Sequence, residues 1–295
     1  MDVISPQKMQ LLLAEYEVFL TGLSHRTIDA YMRIIKQLVL WIASQNHNRG
    51  EFYPAELTGA ALKDYIAYLN LNGYSSTHLA RVKSVVSGFS CWLMESKGIL
   101  SCNPTSGLSI PYSFKEPTVE LSQNTREILL SLVKRSSPIR TKAIFALGYW
   151  AGLRVGEIAW LRISDTSVNS KSGSMKVGYK TGKERSINLI EAARLPLYEY
   201  IYLGGRNQNS PYTMTSQRHE RLTEAGIHRW WSNLKKQAIP SEYRLIHDVT
   251  FHDLRHDFAV RMYKEGWTLQ QMACYLGHVT KDGTPSLTSV ARYLE

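Results

Sequence analysis

Between Thr250 and Tyr293 the chain reads TFHDLRHDFAV, then YLGH at 275–278, then SLTSVARYLE. A helix opening near Thr250 places His252 and Arg255 three residues apart on one face, within a turn of its N-terminus. Backbone N–H groups without helical partners, the positive end of the helix dipole and a guanidinium fork then converge, and together they suit a phosphate. His278 and Tyr293 follow, adding a second imidazole and a phenol that can act as a nucleophile. His252 and His256 stand four apart, which is also the spacing of a helical metal pair. Arg255 opposes a cation there, Asp253 stands where the metalloprotease motif has Glu, and no third ligand is evident, so no metal is expected. Taken alone, the two histidines fit hydrogen-bonded structural roles as well as functional ones.

Two further stretches decide between these readings: AGLRVGEI at 151–158 and the lysine-bearing YKTGKERSINL at 179–189. In this order, with Leu-Gly-His intact at 276–278, the set resembles the tyrosine recombinases, the integrases of the lambda, Xer and Cre kind. The resemblance covers nearly the whole chain. It places the family's first arginine on Arg154, its hairpin lysine on Lys180, its His-x-x-Arg on His252 and Arg255, its later histidine on His278 and its nucleophile on Tyr293. Lys183 is a neighbouring competitor for the lysine role, and Glu157 is one helical turn from Arg154 and able to buttress it. His278 and Tyr293 are fifteen residues apart, longer than the family's usual spacing, with the surplus in a segment at 281–285 expected to be mobile. A short helix over 287–292 then carries the tyrosine.

The resemblance implies a reaction. Arg154 and Arg255 grip the two non-bridging oxygens of a phosphodiester, and His278 hydrogen-bonds the same phosphate. His252 positions it or shuttles a proton, Tyr293 attacks phosphorus, and Lys180 protonates the leaving 5′ oxygen. The 3′-phosphotyrosine link stores the bond energy, so neither ATP nor any other cofactor is expected. The implied function is site-specific recombination of double-stranded DNA by a homotetramer on two sites, assembled from monomers in solution, with room for accessory DNA-bending proteins. A type IB topoisomerase shares much of the chemistry, but the helical N-terminal unit favours recombination. A non-catalytic DNA-binding regulator would require a missing catalytic residue, and each is present. Many relatives continue past the tyrosine into a tail helix. Here only Leu294 and Glu295 follow, so protomer coupling is expected to rest on the tyrosine segment and on N-terminal contacts.

These residues need a scaffold, and the apolar periodicity describes one. Helices are expected over 7–20, from Ser24, from Thr58 to a stop at Gly73, and from Ser75 or Ser76 to Gly98, each with one apolar stripe. The fourth turns His78, Arg81 and Lys83 away from its apolar face. Residues 1–103 then form a mainly α domain resembling the SAM-like core-binding domain of the family, a clamp on one side of the duplex. Pro104, Pro111 and Pro117 interrupt all periodicity, so 104–117 is expected to be a linker. Residues 118–295 form an α+β catalytic domain. Two helices, 123–134 and 139–150, lead to Gly152, whose turn aims Arg154 back while 155–161 restarts as a helix. Alternation over 174–189 predicts a β-hairpin with Lys180, Lys183 and Arg185 at its tip. An amphipathic helix over 226–238 carries Arg229 and Lys235 beside Trp230 and Trp231, the tryptophans packing and the charges available to a DNA backbone.

Composition agrees. The formal charge is +10 with a pI near 9.4, and it is unevenly spread. Residues 1–103 hold nine Lys and Arg against eight Asp and Glu, whereas 104–295 hold twenty-six against seventeen, so most phosphate-facing charge is expected in the second part. Three scattered cysteines, Cys91, Cys102 and Cys274, argue against a disulfide framework and for a reducing, cytoplasmic setting. Nothing resembling a signal peptide or a membrane span is expected, since residues 1–10 lack an apolar run.

Overall fold

The computed structural model describes residues 6–45, 51–110, 120–136, 138–178, 182, 184–204, 206–280 and 282–294. The chain divides into two compact units, 1–114 and 115–295.

The first unit is four helices, α1 (Pro6–Phe19), α2 (His25–Ala43), α3 (Gly59–Leu71) and α4 (Ser76–Glu95). Their starts are set by the expected caps: the hydroxyls of Ser24, Thr58 and Ser75 accept from the N–H groups of Thr27, Ala61 and His78. Each such cap contributes about 1 kcal/mol by satisfying a donor the helix itself leaves free. Gly73, at φ +80°, ends α3 by reversing the chain where a Cβ would be strained. The apolar stripes meet in one core around Ile35, Leu38, Leu62, Leu79, Phe89 and Leu93, and Tyr16 of α1 joins it edge-on to Phe89, 4.8 Å between ring centres. The segment expected to be free linker begins as packed chain. Thr105 is buried, Leu108 and Ile110 lie against this core, and Asn103 accepts from the N–H of Thr105 while donating to Ser87. Residues 111–117 of the expected linker lie outside the described residues.

The second unit is built from α5 (Gln123–Arg135), α6 (Ile139–Tyr149) and α7 (Val155–Trp160), followed by β1 (Thr166–Val168), β2 (Gly173–Val177) and β3 (Arg185–Asn188). Then come α8 (Glu191–Tyr202), α9 (Glu224–Lys235), α10 (Pro240–Ile246), α11 (Phe251–Lys264), α12 (Leu269–Leu276) and α13 (Leu287–Ala291). The strands pair antiparallel in the order β1-β2-β3, with Met175 opposite both Thr166 and Ile187. Periodicity anticipated β2 and β3. It passed over β1, too short at three residues to show alternation, and α8, whose pattern is broken by Pro196.

The main core runs from Leu129 and Ile144 through Leu147 and Ile158 to Phe251 and Leu254. Two glycines set how α11 crosses α6. A Cβ on Gly148 would stand 2.6 Å from the Phe251 ring, and one on Gly152 would stand 2.5 Å from the Phe258 ring, so both rings enter space that only glycine leaves open. A smaller cluster of Phe258, Met262, Met272, Leu276 and Val290 holds α12 and α13 against α11, with Tyr293 packed at its edge. Asp257, fully buried on α11, accepts from Arg126 of α5 at 2.8 and 2.9 Å and from Arg261 at 2.8 Å, which keeps its charge compensated.

Candidate active site

α11 begins as its sequence foretells: the Thr250 hydroxyl accepts from Asp253 N–H, and the Asp253 carboxylate accepts from Thr250 N–H at 2.7 Å. This reciprocal cap puts Arg255 one turn into the helix on its inner face. Arg255 is 0% exposed. Its guanidinium donates to the carbonyls of Gly152 and Leu276, both at 2.7 Å, lies 3.5 Å from Glu157, and reaches His278 Nε2 at 3.2 Å and the Tyr293 hydroxyl at 3.4 Å. Burial and then the Arg154 charge lower its pKa, but a guanidinium stays protonated regardless.

Arg154 enters from the start of α7. Glu157 reaches back to accept from its backbone N–H at 2.9 Å and lies 3.3 Å from its side chain. The guanidinium also donates to Leu276 O at 3.1 Å and approaches His278 Nε2 at 3.4 Å. Unlike Arg255, its side chain is 37% exposed. One arginine is therefore an internal strut, and the other faces outward.

His278 follows Gly277, which ends α12 at φ +67°. Burial, then the Arg255 and Arg154 charges, push its pKa down to about 4, so the ring is neutral at pH 7. Guanidinium groups only donate, so Nε2 must be the unprotonated nitrogen and the proton sits on Nδ1. The Tyr293 hydroxyl stands 3.1 Å from that same Nε2. Its ring is also edge-on to buried His256, 5.2 Å between centres.

The long spacing before the tyrosine is absorbed locally. Val279 bridges Pro285, Thr280 N–H donates to Thr284 O at 2.8 Å, and Ser286 N–H donates to His278 O at 2.7 Å. The surplus residues thus close on themselves and return the chain to His278 before α13 begins. Expected to be mobile, this segment is cross-braced wherever it is described. Fully buried Val290 then pins α13, which presents Tyr293.

Similarity to known proteins settles the family. The profile of the Phage integrase family matches residues 120–291. The chain belongs to the phage integrase family of tyrosine recombinases. Tyrosine recombinase XerD of Proteus mirabilis is 30% identical over 280 residues, spanning 92% of this chain and 84% of the relative. Tyrosine recombinase XerC of Herpetosiphon aurantiacus is 29% identical over 294 residues, spanning 96% and 92%. Among solved structures, a lambda integrase (75–356) dimer bound to a COC′ core site shares the fold at a TM-score of 0.70 and 20% identity, covering 97% of this chain and 95% of that one. A Tn1549 transposon integrase in complex with a circular intermediate DNA does so at 0.73 and 17%, covering 96% and 93%. The chain is a site-specific tyrosine recombinase, an enzyme that cleaves and rejoins DNA strands.

The recombinase brings Arg154, Glu157, Arg255, His278 and Tyr293 of the expected site into contact. His252, though exposed, has enough protein around it that desolvation, followed by the Arg255 charge, lowers its pKa. The imidazole within hydrogen-bond distance of the Tyr293 hydroxyl is that of His278 rather than His252. Lys180 and Lys183 lie outside the described residues. Tyr275, a rival phenol, stacks on Phe258 at 5.4 Å, and burial pushes its pKa up to about 12. Among the described residues no group of three or more His, Cys, Asp or Glu gathers at a metal-binding distance.

Three expected DNA contacts take other positions. Arg185 opens β3 rather than occupying a hairpin tip, and its mostly buried guanidinium pairs with Glu157 at 2.7 Å and donates to Tyr275 O. Lys235 is buried because its ammonium donates to the carbonyls of His247 and of Val249, the latter at 2.8 Å, and burial lowers its pKa. Half-buried Lys83 donates to Leu108 O, bracing the chain after α4. Arg81 and Arg229 are exposed, and half-buried His78 stacks on Tyr74 at 4.7 Å. Helical spacing showed which face these residues share; it did not show which loop folds over that face.

Proposed function

We propose that Tyr293 is the nucleophile of this recombinase and that Arg154, Arg255 and His278 hold the scissile phosphate. The observation that carries the reading is the position of the Tyr293 hydroxyl, 3.1 Å from a neutral imidazole nitrogen and 3.4 Å from a buried guanidinium, with partly exposed Arg154 alongside. Two fixed cations favour the charge that grows on the non-bridging oxygens in the transition state. The Tyr293 oxygen forms a bond to phosphorus as the bond to the 5′ oxygen breaks, leaving a 3′-phosphotyrosine and a free 5′ hydroxyl. The phenol proton passes to His278 Nε2, whose basicity rises once the phosphate offsets the arginine charges, and the new Nε2–H then donates to the phosphate. His252, beside Arg255, positions the phosphate. Lys180 supplies the proton for the 5′ oxygen. Rejoining is the same path reversed, so no high-energy cofactor enters.

The substrate in this reading is double-stranded DNA, with Arg81 and Arg229 among the exposed cations available to the backbone and His78 beside Arg81. The acting form is a tetramer on two sites, formed on DNA from monomers; a lambda integrase of the same fold has been seen as a tetramer bound to a Holliday junction. The reaction takes place in the cytoplasm. The test is a nicked suicide duplex built on a site recovered from DNA covalently trapped on the protein in cells. Wild type should leave an SDS-resistant adduct in excess EDTA, without ATP, and the adduct peptide should contain Tyr293. Tyr293→Phe should bind the duplex and leave no adduct. An adduct mapped to another tyrosine, or a strict need for a divalent ion, overturns the reading.

A further inference from the structure

The last turn of α12 has four carbonyls to satisfy, and their partners are unusual. Those of Ala273 and Cys274 accept from the backbone N–H groups of His278 and Gly277, as at any glycine-ended helix. The next two, of Tyr275 and Leu276, accept from side chains: Tyr275 O from Arg185, and Leu276 O from Arg154 at 3.1 Å and Arg255 at 2.7 Å. Three guanidinium groups therefore close one helix end, where the helix dipole is negative. Arg154 and Arg255 are assigned above to the phosphate. Arg185 is not, yet it lies against the backbone that carries His278: a Cβ on Gly277 would stand 2.6 Å from an Arg185 terminal nitrogen and 3.0 Å from Cζ. Gly277 thus serves both the left-handed turn and the close approach of this guanidinium.

The same terminal nitrogen, Nη1, donates to Glu157 Oε1 at 2.7 Å, the oxygen that also lies 3.3 Å from Arg154. Burial raises the Glu157 pKa, but the hydrogen bond and charge of Arg185, the charge of Arg255 and the Arg154 N–H outweigh it and hold the carboxyl ionised. The side chains of Arg185 and Glu157 are 12% and 9% exposed, so removing either takes the nearest counter-charge from a mostly buried group.

We infer that Arg185 is a positioning residue for DNA cleavage, tying β3, the start of α7 and the Leu276–His278 turn together so that Arg154 and His278 meet the phosphate in register. This rests on the assignment of those two residues to the phosphate. Without Arg185 the Glu157 carboxylate is left to Arg154 and Arg255, drawing the more mobile Arg154 guanidinium inward, and the turn bearing His278 loses its brace. Displacement on the order of 1 Å at a reacting group costs about 100-fold in rate.

The test uses the full chain and the suicide duplex already described. Arg185→Ala should slow single-turnover cleavage about 100-fold while duplex affinity stays within about threefold, as one phosphate contact or none is lost. A pH profile separates positioning from scaffolding. With its strongest partner gone, Glu157 titrates at higher pH, so the acid limb of cleavage in Arg185→Ala should move to higher pH, and the move should vanish in Arg185→Ala/Glu157→Gln. Arg185→Gln, which keeps a donor for Tyr275 O, provides the same comparison if the alanine variant does not fold; it should be slow, folded and shifted in the same direction. Wild-type cleavage rates in both variants overturn the inference, as does a loss of duplex affinity that matches the loss of rate, or an unmoved acid limb. If wild type itself forms no adduct, the proposed function fails and the inference falls with it; if wild type forms the Tyr293 adduct and the Arg185 variants cleave normally, only the inference fails.

Discussion

Arg154 and Arg255 are chemically identical and structurally opposite, so their substitutions should fail differently. Arg255 is wholly buried and supplies the partners of the Gly152 and Leu276 carbonyls. Arg255→Ala takes this donor from the Gly152 carbonyl and one of two from Leu276 O, and should cost about 2–4 kcal/mol, read by urea unfolding. Arg154→Ala, at a partly exposed side chain whose partners Glu157 and Leu276 O keep other donors, should unfold within about 0.5 kcal/mol of wild type yet form no adduct. Equal stabilities for the two variants would contradict the strut assignment. His278 carries a pH signature of its own. Its folded pKa is depressed to about 4 from an ordinary 6.5, so between those values the unfolded chain binds a proton that the folded site refuses. The contribution of this ring to stability is whole above 6.5 and is lost as pH falls toward 4. Unfolding free energies measured over that window should climb with pH in wild type and climb less steeply in His278→Gln.

Among the elements, α11 depends on its crossing with α6. Gly148→Ala places a methyl 2.6 Å from a ring held inside the core, where it cannot swing away. Overpacking of this kind costs about 1–3 kcal/mol, and because Phe251 directly precedes His252, cleavage should fall as well. Thermal unfolding and adduct formation measured on the same preparation check both. The helix α9 makes the converse case. Lys235 fastens its C-terminal end to the carbonyls of His247 and Val249, just before α11 starts. Lys235→Ala should lower stability and leave the salt dependence of DNA binding unchanged, whereas a phosphate contact would reduce its slope by about one. Arg229, exposed on the same helix, is the control that should reduce it.

At the scale of the whole molecule, each unit has its own apolar core, and residues 115–295 hold twenty-six Lys and Arg against seventeen Asp and Glu. A fragment of residues 115–295 should therefore unfold in one cooperative transition by circular dichroism. It should also retain more than about half of the salt dependence of DNA binding shown by the full chain, since phosphate neutralisation follows charge. A fragment without a cooperative transition would mean that its core is completed by the first 114 residues.

The helices with strong stripes and capping hydroxyls, at Ser24, Thr58 and Ser75, were legible because their physics is local: a donor is satisfied three residues away and an apolar face recurs each turn. The order Arg154, His252, Arg255, His278, Tyr293 was legible through family resemblance, since these residues come from four different segments and helical spacing joins only His252 to Arg255. Other features were settled only by tertiary structure. That His278 rather than His252 meets the phenol follows from the closed turn between Val279 and Pro285, formed by pairings between residues that show no periodicity. That Arg185 and Lys235 are internal fasteners follows from where carbonyl groups of distant segments end up, because a cation's partner is decided by whichever unsatisfied acceptor folding brings to it. Charge and spacing placed those two side chains on a surface; the ends of α12 and of the segment before α11 turned them inward.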